Sequence, residues 1–171
     1  MDGDAAILGA ILGPGLMLHF AYGSNMHRAV IHKHAPAAEP LGTARLAGYR
    51  FVITADGYAS VEQAAAGTVY GMLWRLMPRD RVTLDAWENI AGGLYRAETL
   101  PVVASGRHRP ALIYIARLRP PGEPKPGYME IVIEAARALD LPEDYIASLR
   151  RWLPTRPAGA GYRKLEDFDW T

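Results

Sequence analysis

Residues 18–33, LHFAYGSNMHRAVIHK, change character midway. Leu18 to Ala21 is a short apolar run suited to a strand. It breaks at Tyr22-Gly23-Ser24-Asn25, and Met26 to Lys33 then predicts a helix that Pro36 ends. A strand entering a helix through Gly-Ser-Asn leaves backbone N–H groups without intrahelical partners, where an anion or an oxyanion can be held. The tetrapeptide reads equally as an ordinary turn in which Ser24 or Asn25 caps the helix. No Gly-x-Ser-x-Gly elbow surrounds Ser24, so nothing here marks it as a nucleophile.

Working outward, residues 42–54 combine Leu46, Tyr49, Phe51, Val52 and Ile53 ahead of a turn at Asp56-Gly57, and residues 69–76 have a similar makeup; both predict strands. Pro78 opens a helix predicted over 80–90 and closed by Ala91-Gly92-Gly93. Residues 94–103 and 111–116 predict two more strands, and the proline-rich stretch 119–126 an exposed loop. Apolar residues at helical spacing then predict helices over 128–139 and 142–152. Strands and helices do not alternate regularly. That order favours an α+β arrangement around a mixed or barrel-like sheet over a doubly wound parallel one.

The chain has 171 residues, enough for one domain with one core. We place that domain at residues 17–153, with residues 1–16 as an N-terminal extension and 154–171 as a C-terminal tail that docks through Phe168 and Trp170 or stays mobile. Asp2 and Asp4 precede the apolar stretch 5–12 without any positive charge, which argues against a secretory signal. The absence of cysteine excludes thiolate nucleophiles, Cys-ligated metals and redox dithiols. Lys plus Arg number 19 against 18 Asp plus Glu, so the strongly basic footprint of a nucleic-acid binder is missing. No run approaches the ~18 apolar residues that would span a bilayer. The expectation is a cytoplasmic protein with no nucleic-acid or membrane partner; monomer and homodimer are both open.

Asp85 and Glu88 lie three apart and share a face of the predicted helix, where a neighbouring charge or partial burial would raise either pKa toward the range a general base needs. Two solvated carboxylates on an amphipathic helix is the plainer alternative. Glu88 sits between Trp87 and Ile90 next to a glycine turn, a setting compatible with burial. His27, His32 and His34 lack a ligand at the i+4 spacing of a helical metal site, so no metal is expected. Arg107, Arg109, Arg117, Arg119 and Lys125 read as a solvated basic face. Neither glycine-rich nucleotide motif occurs.

Taken together, the stretch from Leu18 to about Leu149 resembles the γ-glutamylcyclotransferase-like family. Phe20-Ala21-Tyr22-Gly23-Ser24-Asn25-Met26 is similar to the family's substrate loop. Ala44-Arg45-Leu46-Ala47-Gly48-Tyr49-Arg50-Phe51 resembles its next strand, and Ala59-Ser60-Val61 a later element. The block Val69-Tyr70-Gly71-Met72-Leu73-Trp74, Leu84-Asp85-Ala86-Trp87-Glu88 and Leu94-Tyr95-Arg96 is similar in order and spacing, as is the late helix pair beginning Pro126-Gly127-Tyr128. The resemblance implies a barrel-like mixed sheet with flanking helices. It also implies cyclisation of a small-molecule γ-glutamyl amino acid, peptide or amine to 5-oxoproline without metal or cofactor. On it, the catalytic glutamate falls on Glu88, the substrate loop on Tyr22, Gly23, Ser24 and Asn25, and a substrate-binding tyrosine on Tyr128. One departure is Asn89, where the family usually has glycine after the glutamate. Asn is among the few other residues that enter the left-handed region readily, so the same backbone is expected. The alternative reading is a non-catalytic ligand-binding or interaction module that kept the fold.

Overall fold

A long β-hairpin forms one wall of the molecule. In the computed structural model, which describes residues 17–155, β2 (Glu39–Ile53) runs antiparallel to β3 (Ala59–Leu76) along most of its length. The expected extension 1–16 and the tail beyond residue 155, with Phe168 and Trp170, lie outside the described residues. The pairing register of the hairpin shifts between Ala47 and Tyr49, and Gly48 at that bulge has φ +80°, a conformation glycine adopts without steric cost.

The short strand β1 (Met17–Ala21) pairs antiparallel with the C-terminal half of β3, placing Ala21 opposite Met72. Two further strands, β4 (Tyr95–Ala104) and β5 (Arg107–Ala116), form a second antiparallel hairpin. β4 joins β2 at Arg45, and β5 closes the sheet by pairing parallel with β1 at His19 and Leu112. The order β1-β3-β2-β4-β5 is a closed mixed barrel, which leaves no open edge along the sheet. Because β1 and β5 run parallel, the chain leaves both strands at the same end of the barrel.

A 3-10 turn at Ser24–Met26 follows β1 and leads into helix α1 (Arg28–His34). Helix α2 (Pro78–Trp87) follows β3, and α3 (Tyr128–Ala138) and α4 (Glu143–Arg150) follow the proline-rich loop. Among the described residues no helix is long and apolar enough to cross a membrane. The core holds Phe20, Trp74, Leu46, Leu76, Leu84, Ile113 and Met129, all essentially inaccessible. Burying each such large apolar side chain stabilises the fold by about 1.5–3 kcal/mol. Ala111 to Ala116 is buried throughout, as expected of a strand covered on both faces.

The α+β barrel anticipated from the sequence is therefore present, and the differences are local. β3 begins at Ala59, ten residues before the predicted strand, because residues 59–68 are held by backbone pairing with β2 although many of their side chains are small and exposed. The helix expected to start at Met26 begins at Arg28 after the 3-10 turn. The helix expected to reach Ile90 stops at Trp87, leaving Glu88 as its C-terminal cap.

Candidate active site

At the end of the barrel where β1 and β5 finish, a cavity of about 260 Å³ is enclosed by the loop after β1, the end of α2 and several tyrosines. Its floor is the tetrapeptide Tyr22 to Asn25, all four of whose residues line it. Two bonds pin this loop to the barrel. The Trp74 indole N–H donates to the Asn25 carbonyl at 3.1 Å, and the Tyr22 hydroxyl donates to the Tyr114 carbonyl at 2.5 Å. Gly23 is required by close approach: a Cβ there would lie 2.8 Å from the Tyr128 hydroxyl and 3.1 Å from Ala59 Cβ.

Glu88 reaches the cavity from the opposite side. Its backbone N–H still closes the last helical turn on Leu84 at 2.8 Å, but its φ and ψ have already left helical values. The chain then turns through Asn89 at φ +49°, so the left-handed conformation expected at this position is present. Asn89 Oδ1 also accepts from the Gly92 N–H at 3.0 Å, which closes the turn. The Glu88 carboxyl oxygen Oε1 accepts from Asn25 Nδ2 at 3.1 Å, joining the helix end to the loop across the cavity. Burial pushes the Glu88 pKa up from its ordinary value of 4.5 to about 7; the Asn25 bond opposes this and the Asp85 charge adds to it.

Asp85, predicted to share a helix face with Glu88, has separate partners. Its Oδ1 accepts from Arg81 Nε at 2.7 Å and from the Tyr114 hydroxyl at 2.7 Å. It is thus held as an ion-paired carboxylate whose charge reaches Glu88 while its own oxygens are occupied.

Five tyrosines, Tyr22, Tyr58, Tyr95, Tyr114 and Tyr128, line the same cavity. Tyr128, the first residue of α3, accepts from the backbone N–H of Ala59 at 3.3 Å and, at 3.4 Å, from that of Ser24. Burial pushes its phenol up to about 12, so it keeps its proton at neutral pH. Tyr95 donates to the Ala59 carbonyl at 2.8 Å, and burial raises its pKa as well as that of Tyr22. Tyr114 is also raised, first by burial and then by its bond to Asp85.

All six residues singled out in the sequence, Tyr22, Gly23, Ser24, Asn25, Glu88 and Tyr128, line this one cavity. Residue-by-residue reading did not single out Trp74, Tyr95, Tyr114 and His19 as site residues. Their sequence signal is that of core strand residues; only the closed barrel turns them toward one end. The three α1 histidines are spread apart. His27 caps α1 by accepting from the Ala29 N–H at 3.2 Å, His32 Nε2 lies 3.0 Å from the Ala38 carbonyl, and His34 stacks on Trp87. Arg107, Arg117, Arg119 and Lys125 are exposed.

The closed barrel with its flanking helices has the fold of solved γ-glutamylcyclotransferases, as the sequence resemblance implied. Residues 68–149 match the AIG2-like family. The γ-glutamylcyclotransferases of Mus musculus and Homo sapiens are each 26% identical over 161 residues, spanning 88% of this chain and 86% of theirs. A solved γ-glutamyl cyclotransferase structure superposes with a TM-score of 0.79 at 24% identity, covering 89% of this chain and 96% of that one.

Proposed function

We propose that the protein is a γ-glutamylcyclotransferase that converts a small-molecule γ-glutamyl amide to 5-oxoproline and a free amine, with Glu88 as the proton-transfer residue. The observation that carries this reading is the Glu88 carboxyl, raised to about 7 in the cavity and bonded to Asn25 of the Tyr-Gly-Ser-Asn loop. A carboxyl with that pKa is available in both protonation states near neutrality, which a residue that first takes and then returns a proton needs.

In this mechanism the γ-glutamyl group lies along residues 22–25, with Tyr128 among its binding groups. Ionised Glu88 removes a proton from the substrate's α-ammonium. The freed amine attacks the γ-carbonyl of the same molecule, forming the new C–N bond of a five-membered ring. Backbone N–H groups of residues 23–25 stabilise the resulting oxyanion, each such donor contributing roughly 10²–10³ in rate. Protonated Glu88 returns its proton to the departing nitrogen as the old C–N bond breaks, and the ring nitrogen gives up its second proton, which the released amine carries away as an ammonium. Holding the substrate bent so that amine and carbonyl are within reach accounts for part of the remaining acceleration.

The test is 5-oxoproline release, measured by mass spectrometry, from a panel of γ-glutamyl amides with the intact protein and with Glu88→Gln. Release that is lost in a folded variant supports the mechanism. Equal release from both proteins removes Glu88 from the chemistry, and no release from either replaces the enzyme reading with that of a ligand-binding module.

A further inference from the structure

The proton that Glu88 returns must reach the leaving nitrogen, so the amine half of the substrate lies beside Glu88. The cavity lining includes Trp87, next to Glu88 in the chain, Leu94, and Tyr114, whose hydroxyl binds Asp85 and whose ring meets that of His19 at 5.4 Å. Trp87 and Leu94 are only half-buried and keep apolar surface to be covered. The Trp87 indole is held in place from behind by His34 of α1, whose ring stacks on it at 3.8 Å with an interplanar angle of 16°. An aromatic wall already fixed in position loses little conformational entropy when a ligand packs on it.

The charge of this wall is equally specific. Among the described residues, none that lines the cavity is Lys or Arg. Arg81, nearby, is engaged by Asp85; Lys125 lies over the Tyr58 ring, and Tyr58 packs on Tyr128 on the loop side. Arg117 lies beside Gly93 and is exposed, where solvent screens its charge. His19 is buried and presents a neutral ring: Nδ1 lies 3.1 Å from the Leu112 carbonyl, Nε2 has no partner, and burial holds its pKa down at about 4. A carboxylate on the amine half would therefore be desolvated without a cationic partner and would face the negative Asp85 and Glu88.

We propose that Trp87, Leu94, Tyr114 and His19 form the subsite for the leaving amine, and that this subsite selects an apolar or aromatic amine lacking a carboxylate over an amino acid or peptide. Trp87 is its specificity-determining residue. The proposal rests on the cyclotransferase reading and narrows it.

A matched pair of substrates tests it: γ-glutamyl-phenethylamide and γ-glutamyl-phenylalanine, which share the ring and differ by one carboxylate. The expected result is a kcat/KM at least about tenfold higher for the phenethylamide, the scale on which one unpaired buried polar group is discriminated. Equal or better turnover of the phenylalanine compound, or of glutathione, overturns the proposal. So does preference for the γ-glutamyl amide of 1,4-diaminobutane, which would identify a cation subsite. Absence of 5-oxoproline from every compound overturns the cyclotransferase reading itself, so the two failures are distinguishable. Trp87→Ala is expected to raise KM for the phenethylamide roughly tenfold with a much smaller change in kcat, and Trp87→Phe to recover most of that loss. Should Trp87→Ala fail to fold, the substrate pair on the unaltered protein still decides.

Discussion

Glu88 meets two opposing demands. Its buried position favours the neutral acid, whereas the proton abstraction proposed for it requires the carboxylate, and Asn25 Nδ2 is the group that favours ionisation. Glu88→Gln keeps the shape and removes the base, so kcat/KM for 5-oxoproline release is expected to fall by roughly 10²–10⁴. In the unaltered protein kcat/KM should rise with pH through an acid limb near 7, where the free enzyme's Glu88 loses its proton. Asn25→Ala removes the donor that lowers the Glu88 pKa, so that limb should move to higher pH in a kcat/KM profile. A limb that stays in place would show that Asn25 does not tune Glu88. At this scale the sequence named Glu88 and Asn25 by motif. Their bond was not legible, because 63 residues separate them along the chain.

The element that aims Glu88 is the end of α2. Asn89 adopts φ +49° and accepts from the Gly92 N–H, so one side chain both enters the left-handed region and closes the turn. Asn89→Ala should cost about 1–2 kcal/mol in urea denaturation, since alanine gains nothing locally to offset the left-handed conformation. Asn89→Gly should lie nearer the unaltered protein, because glycine enters that region without the Cβ penalty but loses the side-chain bond. The sequence marked this turn through Gly92 and Gly93 but extended the helix to Ile90. The apolar residues Trp87 and Ile90 continue a helical spacing that the backbone abandons in order to point Glu88 inward. The early half of β3 was missed for a related reason: residues 62–66 are partly or fully exposed, carry little apolar pattern, and are ordered by their pairing with β2.

At the scale of the whole molecule, two buried titratable groups give stability a signed pH dependence. Glu88 titrates near 4.5 in the unfolded chain and about 7 in the folded one, so the folded state holds the extra proton and loses stability as pH rises between those values. His19 titrates near 6.5 unfolded and about 4 folded, so stability is lost as pH falls through that window. Glu88→Gln removes the first effect alone. The variant is expected to melt higher than the unaltered protein at pH 8, with the difference vanishing by pH 4, in thermal unfolding followed by circular dichroism. A variant that melts lower at pH 8 would show that the Glu88 carboxylate is not desolvated as described.

What the sequence by itself determined were the properties written in local pattern: an α+β chain, the strand–loop–helix at residues 18–33, the glutamate ahead of a glycine turn, and the resemblance that joined them. Those signals act over a few residues, through backbone preference and apolar spacing, and need no distant partner. Barrel closure was decided only in the tertiary structure. The parallel pairing of β1 with β5 joins His19 to Leu112, 93 residues apart, and sets Tyr114 and the Asp85 that it binds at the end of the barrel where Tyr22 to Asn25 emerge. Packing then stacked His34 of α1 on Trp87 of α2 and withdrew the Glu88 carboxyl from water. The charge and shape of the cavity depend on residues brought together from seven elements of the chain. Spacing along a sequence cannot encode that convergence, because it is a property of the closed sheet.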